Sequence, residues 1–309
     1  MNPIISVIIP VYNKENYLEK TLKSVISQTF ENFEIVIIDD GSTDKSYDIA
    51  YNFSKHDTRI RVFKQENSGV SKTRNKALDF AVGKYVTFLD ADDKYDTKFL
   101  EKMLSQIGDG NAIYCGSFNV RGNEIKKVKN SFEEGDIFYK YLKHKCHPNM
   151  NSWLIKKEFL ERYNIKFQEN LTIGEDVVFF SNIMFFERNI KVCKEHLTFY
   201  NVEVESSLSK VNKDKNIEKN ILWIQSLELY FEQFQNKKEL QSRIKRAKKI
   251  LNGYRMPAAI IYEINSKSLS KEMTSETLSL YKKYIKKINL VNGFRSIKLY
   301  LVYWKLKKW

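Results

Sequence analysis

The first 118 residues alternate between two hydrophobic periods, and this alternation constrains the fold more than any other feature of the chain. Short runs read as strands: "IISVIIP" (4–10), β-branched and buried, "FEIVIID" (33–39), "RIRVFKQ" (59–65), which alternates, "KYVTFLD" (84–90) and "NAIYCGSF" (111–118). Between them stand segments with helical spacing: "NYLEKTLKSVISQ", "STDKSYDIAYNF", "GVSKTRNKALDFA" and "DTKFLEKMLSQI". In the first of these, Leu18, Leu22, Val25 and Ile26 share one face. Strand–helix repeats of this kind predict an α/β fold, a Rossmann-like and mainly parallel sheet flanked by helices. Sheets of that class bind ligands beyond the carboxyl ends of their strands. Acids stand at two of those ends: Asp39 and Asp40, then Asp90, Asp92 and Asp93. The expected fold therefore gathers two clusters, distant in sequence, on one rim.

The residue types limit what such a rim can do. Asp90-Ala91-Asp92 leaves a strand in a turn, so both carboxylates can approach one hard cation. Mg²⁺ and Mn²⁺ are commonly held by one or two carboxylates together with substrate phosphates. A helix cap explains Asp93 or Asp96, but not three acids in four residues. In "IIDDGSTDKS", Asp40-Gly41 makes a tight turn and Ser42, Thr43 or Asp44 caps the helix. One acid is left over to accept a base imide or a ribose hydroxyl. In "QENSGVSKTRNKAL", Asn67, Ser68 and Gly69 precede a helix whose first turns carry Lys72 and Arg74. That pattern suits an anion, although basic residues on an exposed helix face are ordinary. In "TIGEDVVFF", Glu175 and Asp176 either sit favourably in a first helical turn or supply a base for a hydroxyl proton. His144, Cys146 and His147 lack the partner pair that a zinc site needs. No phosphate-loop, dinucleotide or HExxH motif occurs.

Taken in order, "SVIIPVYNKENYLEKTLKSVISQTFENFEIVIIDDGSTDKS", "NSGVSKTRNKAL", "KYVTFLDADD" and "GEDVVFF" resemble the inverting family 2 glycosyltransferases of the GT-A fold, over residues 4–210. The resemblance implies a nucleotide-sugar donor, usually a UDP-sugar, a Mn²⁺ or Mg²⁺ ion, and a single displacement that inverts the anomeric carbon. It implies transfer of a hexose or N-acetylhexosamine to a hydroxyl of a bacterial surface glycan, lipid-linked or protein-linked acceptor. By the same resemblance, Pro10, Tyr12 and Asn13 form the first nucleotide-contacting loop. Asp40 reads uracil, with Asp39 beside it, and Asn67, Lys72 and Arg74 are donor contacts. Asp90-Ala91-Asp92 is the DxD motif, with Asp92 on the metal and Asp90 on ribose or a metal-bound water. Asp176 is the general base and Glu175 orients it. Trp153, in "NSWLIKKEFL", is the expected acceptor platform. Because an open site would let water compete, the Ser-rich segment 203–214 is expected to close over the donor. A non-catalytic nucleotide-sugar-binding scaffold subunit is the other function that these motifs allow.

Charge divides the chain differently. Residues 237–309 hold 19 Lys and Arg against 4 Asp and Glu, whereas residues 1–236 hold 33 against 34. The expected organisation is a catalytic domain over 1–210 and a basic helical region over 211–309. The final "NGFRSIKLYLVYWKLKKW" mixes aromatic and cationic residues, as suits either an anionic membrane surface or a helical face that packs or oligomerises; nucleic acid is not expected. Three separated cysteines, and no apolar stretch long enough to span a bilayer, predict a reducing, cytoplasmic setting at the inner face of the cell membrane.

Overall fold

A computed structural model describes residues 2–203, 216–266, 271–285, 288 and 294–307. Its chain divides into two units. The first comprises Met1–Ile137, Cys146–Asn170 and Asn182–Ser206; the second comprises Phe138–Lys145, Leu171–Ser181 and Ser207–Trp309. The second unit thus reaches back to include two short segments that precede the expected boundary at 210.

The first unit is built on one sheet. Its strands are β1 (Ile5–Val11), β2 (Phe33–Asp40), β3 (Ile60–Gln65), β4 (Tyr85–Phe88), β5 (Lys94–Tyr95), β6 (Ala112–Arg121), β7 (Glu124–Lys127), β8 (Trp153–Lys156) and β9 (Lys191–Asn201). They lie in the order β3-β2-β1-β4-β8-β6-β9-β5, with β7 beside β6. Every residue of β1 and β2 is buried, as expected of central parallel strands covered on both faces. The strands β1, β2, β3 and β4 pair in parallel. The strand β8 is antiparallel to both β4 and β6, so β6 runs the same way as β4 without touching it. The strand β9 is parallel to β6. The mainly parallel expectation therefore holds, with β8, β5 and β7 as reversed additions.

Helices α1 (Leu18–Ile26), α2 (Ser46–His56) and α4 (Phe99–Ile107) cover one face of the sheet. Leu18, Leu22, Val25, Ala50, Phe99 and Met103 join Ile5, Val7, Ile9, Ile35 and Ile37 in a single buried cluster. Each such side chain, fully buried, contributes about 1.5–3 kcal/mol. The alternate residues Ile8, Val36 and Ile38 point to the other face, and α3 (Val70–Phe80) packs on β1 and β2.

Pro10 is unusual in a central strand, because proline cannot donate to a ladder. Its position removes the difficulty. Leu89 N–H donates to the Ile8 carbonyl at 2.9 Å. Pro10, two residues on, faces the same side, beyond the end of β4 at Phe88.

The second unit is helical among its described residues: α5 (Phe138–Leu142), α8 (Asn216–Glu232), α9 (Lys238–Ile250), a π-turn (Leu251–Arg255), α10 (Met256–Ser266), α11 (Lys271–Leu280), α12 (Lys282–Ile285) and α13 (Phe294–Lys307). The spacing of Leu278, Tyr281, Ile285 and Ile288 predicts one continuous helix, but the turn residue Tyr281 separates α11 from α12. Helix α6 (Lys157–Arg162) follows β8 directly, as "WLIKKEFLER" suggests, and α7 runs Glu175–Phe186. The guanidinium of Arg243, itself buried, lies 4.6 Å from the Phe138 ring centre, and that of Arg246 lies 4.1 Å from Tyr139. These contacts attach α5 to the basic helix α9. Among the described residues no helix is long and apolar enough to cross a membrane.

Candidate functional site

The carboxyl ends of β1, β2 and β4 meet on one rim, and the loops there are tied to each other. The N–H groups of Asn13, Lys14 and Glu15 donate to Ser42 Oγ (3.0 Å), Ser46 Oγ (2.7 Å) and Asp44 Oδ2 (3.0 Å). In return, Thr43 N–H donates to Asn13 Oδ1 (2.9 Å) and Lys45 N–H to Glu15 Oε2 (3.0 Å). The expected cap candidates of α2, Ser42, Thr43 and Asp44, are thus used across the rim, and with Ser46 they hold the "YNKE" loop. Asn13 adopts a left-handed φ of 50° in this arrangement. Gly41 has φ 76°, and a Cβ there would lie 2.8 Å from the Asn67 nitrogen. Only glycine allows the 66–69 loop to approach so closely.

The two acids at the end of β2 have different surroundings. Asp40 accepts from Gln65 Nε2 (2.7 Å), Ser68 N–H (2.9 Å), Ser68 Oγ (3.2 Å) and Gly69 N–H (2.9 Å). It is engaged in holding the turn into α3. Its Oδ1 takes three of these donors and its Oδ2 one. Asp39 is fully buried. Its Oδ1 accepts from Ser42 N–H at 3.1 Å, while Oδ2 has no hydrogen-bond partner among the described residues. A buried polar atom left so is costly unless a ligand completes it.

The acids after β4 form a tight turn, with Asp93 N–H donating to the Asp90 carbonyl at 3.0 Å. Thr21 Oγ1 lies 2.9 Å from the Ala91 carbonyl and 2.8 Å from that of Asp93, which fixes the turn to α1. Asp90 pairs with Arg74 Nη2 at 2.7 Å and Asp92 with Lys14 Nζ at 2.7 Å. Burial, and then the charge of Asp90, push the Asp92 carboxyl above the usual range against the pull of Lys14. Asp93 accepts from Asn151 Nδ2 (2.9 Å) and Asn201 N–H (2.8 Å). Burial, followed by the charges of Asp90 and Asp92, raises it well above the usual range. Asp93 is thus a support that ties the turn to the end of β9. Asp96 accepts from Lys98 N–H at 2.9 Å, just before α4.

Asp90 and Asp92 are oxygen donors, close enough for like-charge repulsion to raise one of them. That is a donor set and an electrostatic condition fitted to a hard divalent ion. Among the described residues no three His, Cys, Asp or Glu side chains cluster as a self-sufficient metal cage. Two carboxylates suffice only when substrate phosphates share the ion.

The remaining predicted positions are distributed as follows. Pro10 is buried and Tyr12 is exposed above it. Asn67 and Lys72 are exposed on the loop and first turn of α3, while Arg74 is buried beside the Phe167 ring. Trp153 is overturned as a stacking platform. It is fully buried in β8, its ring 5.3 Å from that of Tyr114, and presents no exposed face. Glu175 and Asp176 open α7 in the second unit, after Gly174, whose φ is 80° and where a Cβ would meet the Trp223 ring at 2.6 Å. Asp176 Oδ1 accepts from Val177 N–H at 2.7 Å. The expected closing loop, apart from Glu203, lies outside the described residues. Lys14, Asn151 and Asn201 are site residues that the sequence reading passed over. Only Lys14 left a signal, as the one cation beside "PVYN".

Comparison with known proteins gives the family and the fold. The model of glycosyl transferase family 2 matches residues 6–185. The chain is similar to the putative glycosyltransferase EpsH of Bacillus subtilis (strain 168), at 30% identity over 222 residues. That match covers 68% of this chain and 64% of EpsH, so the chain spans just under two thirds of its curated relative's length. Among solved structures, S. aureus TarS 1–349 in complex with UDP-GlcNAc shares the fold, with TM-score 0.70 and 19% identity, covering 98% of this chain and 91% of that one. The mannosyltransferase PcManGT of Pyrobaculum calidifontis, in complex with GDP-Man and Mn²⁺, aligns with TM-score 0.55 and 20% identity, covering 99% of this chain and 88% of that one.

Proposed function

The chain belongs to glycosyl transferase family 2, and from that premise we propose that it transfers a hexose or N-acetylhexosamine from a UDP-sugar, with inversion, to a hydroxyl of a surface glycan, lipid-linked or protein-linked acceptor. The observation that carries this reading is the rim itself. Asp39 keeps a buried oxygen there with no hydrogen-bond partner among the described residues, and Asp90 and Asp92 leave one tight turn, each met by a cationic side chain. A pyrimidine imide N–H would satisfy Asp39. The TarS complex supports UDP-GlcNAc as the kind of donor to try first, and the PcManGT complex supports a divalent ion.

Each residue then has a task. Asp39 orients the base, and the clamped loop of Tyr12 and Asn13 borders it. Asn67, on the loop before α3, and Lys72, in its first turn, bound the nucleotide, and Arg74 holds Asp90 in place. Asp90 and Asp92 would hold Mn²⁺ or Mg²⁺. When bound, such an ion offsets the charge that gathers on a leaving diphosphate. Asp176 takes the proton of the acceptor hydroxyl as it attacks, and Glu175 orients it.

The test is a panel of UDP-Glc, UDP-Gal, UDP-GlcNAc and UDP-GalNAc, scored by UDP release with Mn²⁺. Release from at least one donor, abolished in Asp92→Asn and in Asp176→Asn, is expected. Binding of UDP without release from any donor and acceptor would instead favour the scaffold reading.

The acceptor reading extends to an anionic membrane surface. On α13, Ile297, Tyr300, Leu301 and Trp304 are exposed at i, i+3, i+4 and i+7, with Lys298 exposed beside them; Ser296 and Leu299 are buried opposite. The helix carries no acid. An apolar stripe with flanking cations suits a lipid interface. Cosedimentation with phosphatidylglycerol vesicles, and loss of it in Leu301→Glu, is expected. A chain that ignores vesicles but self-associates through this stripe would replace lipid with a second copy.

A further inference from the structure

Asp90 and Asp92 are held by cations of two kinds. Arg74 is 4% exposed, lies 5.3 Å from the Phe167 ring centre and keeps Nη2 2.7 Å from Asp90. A buried, stacked guanidinium is a fixed partner. Lys14 combines a fixed backbone with a movable side chain. Its N–H donates to Ser46 Oγ at 2.7 Å, and its carbonyl accepts from Tyr17 N–H (3.0 Å) and Leu18 N–H (2.9 Å) at the start of α1. Both neighbours, Asn13 and Glu15, are pinned to the loop after β2. Only the four-carbon stem can move, and it carries a compact charge to Asp92 Oδ2 at 2.7 Å.

We propose that Lys14 is a displaceable cation. It holds Asp92 in place while no divalent ion is present, yields it when one arrives, and turns to the diphosphate of the donor. The inference rests on the reading that this rim takes a nucleoside diphosphate with a divalent ion.

The physical argument is electrostatic. An ammonium and a dication on one carboxylate repel each other strongly at a separation of about 4 Å. A metal arriving alone must expel Nζ from a partner and offers it none in return. A metal arriving with a diphosphate supplies the displaced ammonium with anionic oxygens. Metal and nucleotide therefore favour each other's binding, and by linkage the factor is the same in both directions. The fixed Arg74–Asp90 pair gives Asp90 no such freedom, so the exchange belongs to Asp92 alone.

The experiment is titration of the full chain by calorimetry and Mn²⁺ electron paramagnetic resonance, with Mn²⁺ alone, UDP alone, and both together. The variants are Lys14→Met and Lys14→Arg, each checked for folding by circular dichroism. In the unaltered protein, UDP is expected to tighten Mn²⁺ binding by roughly tenfold or more. Lys14→Met is expected to bind Mn²⁺ alone on the order of tenfold more tightly than the unaltered protein, to bind UDP less tightly, and to lose the coupling. Lys14→Arg, whose fork grips a carboxylate through two bonds, is expected to bind Mn²⁺ alone more weakly. A folded Lys14→Met that binds Mn²⁺ no more tightly overturns the proposal, as does unchanged coupling. Full-rate UDP release in excess EDTA also overturns it, because Lys14 would then be a permanent counter-ion. Absence of Mn²⁺ binding in every form overturns it together with the metal reading. None of the binding readouts needs turnover. The expected Mn²⁺ pattern in a protein that turns over no donor would uphold Lys14 and defeat only the catalytic reading.

Discussion

Asp40 and Asp93 each accept backbone N–H groups from a distant part of the chain, whereas Asp39 and the Asp90–Asp92 pair do not. At the end of β2 the second of two acids belongs to the framework; at the end of β4 it is the last of three. In both clusters the framework acid joins segments distant in sequence, Asp40 from β2 to the turn before α3 and Asp93 from the turn after β4 to the end of β9. The other acids face cationic side chains or, for Asp39 Oδ2, no donor among the described residues. The difference teaches that adjacent carboxylates on one rim are distinguished by their donors, not by their position in a motif. An acid whose oxygens are filled by backbone N–H groups is architecture, and one met by a displaceable partner is available to a ligand.

Substitutions can break or sharpen that contrast. The largest effect is expected at Asp92→Asn. UDP release should fall by about a thousandfold with the thermal midpoint close to that of the unaltered protein; a large loss of stability would place Asp92 with the framework acids. Next comes Asp40→Ala, which orphans the N–H groups of Ser68 and Gly69 and should cost about 2–3 kcal/mol in denaturant titration. A cost below about 0.5 kcal/mol would remove Asp40 from the framework. Asp39→Asn keeps an acceptor for Ser42 but offers an amide to the base. UDP affinity, read by calorimetry, should drop by roughly tenfold without loss of stability. If it destabilises as Asp40→Ala does, the two β2 acids are alike after all.

The smallest effect concerns Asp44 and pH. Burial raises its carboxyl, but hydrogen bonds from Ser46 and Glu15 outweigh that and bring it below the usual range. A depressed folded value means that the stabilisation is present above the unfolded pKa of about 3.9 and is lost as pH falls through the lower folded value. Asp44→Asn should therefore cost about 1 kcal/mol near neutrality, and the gap to the unaltered protein should close below about pH 4. A gap that stays constant across that range would show that charge plays no part in holding Glu15.

The alternation of strand and helix was legible because each element is local and β1, β2 and β4 are buried throughout. The gathering of acids on one rim followed from parallel topology alone. Which acid does what was not legible. Adjacent strand residues face opposite sides, and nothing in "IIDDGS" announces that Gln65, Ser68 and Gly69 wait on the Asp40 side. Lys14 was invisible as the partner of Asp92 for the same reason, since contacts across the rim join residues far apart in sequence. The strand β8 is four residues long and β9 alternates poorly, so neither shows a clean period. Trp153 looked like a platform because an aromatic residue in a divergent segment carries no mark of burial; its pairing with Tyr114 across β6 and β8 decides the matter.

The position of β8 also fixes the order in which the chain can be finished. Tyr85 and Val86 of β4 pair with Lys156 and Ile155, and Ala112 and Ile113 of β6 pair with the opposite edge of the same short strand, at Ile155 and Leu154. During synthesis, β4 and β6 leave the ribosome before the segment that joins them. Until residues 153–156 emerge, the nascent protein carries two open strand edges where one continuous sheet will be. At about 5–20 residues per second that exposure lasts for seconds. A fragment that keeps all five strands announced by the early alternation, but stops before Trp153, would preserve those raw edges permanently. The apparent nucleotide-binding half is therefore not a separable folding unit, and its completion depends on four residues translated well after it.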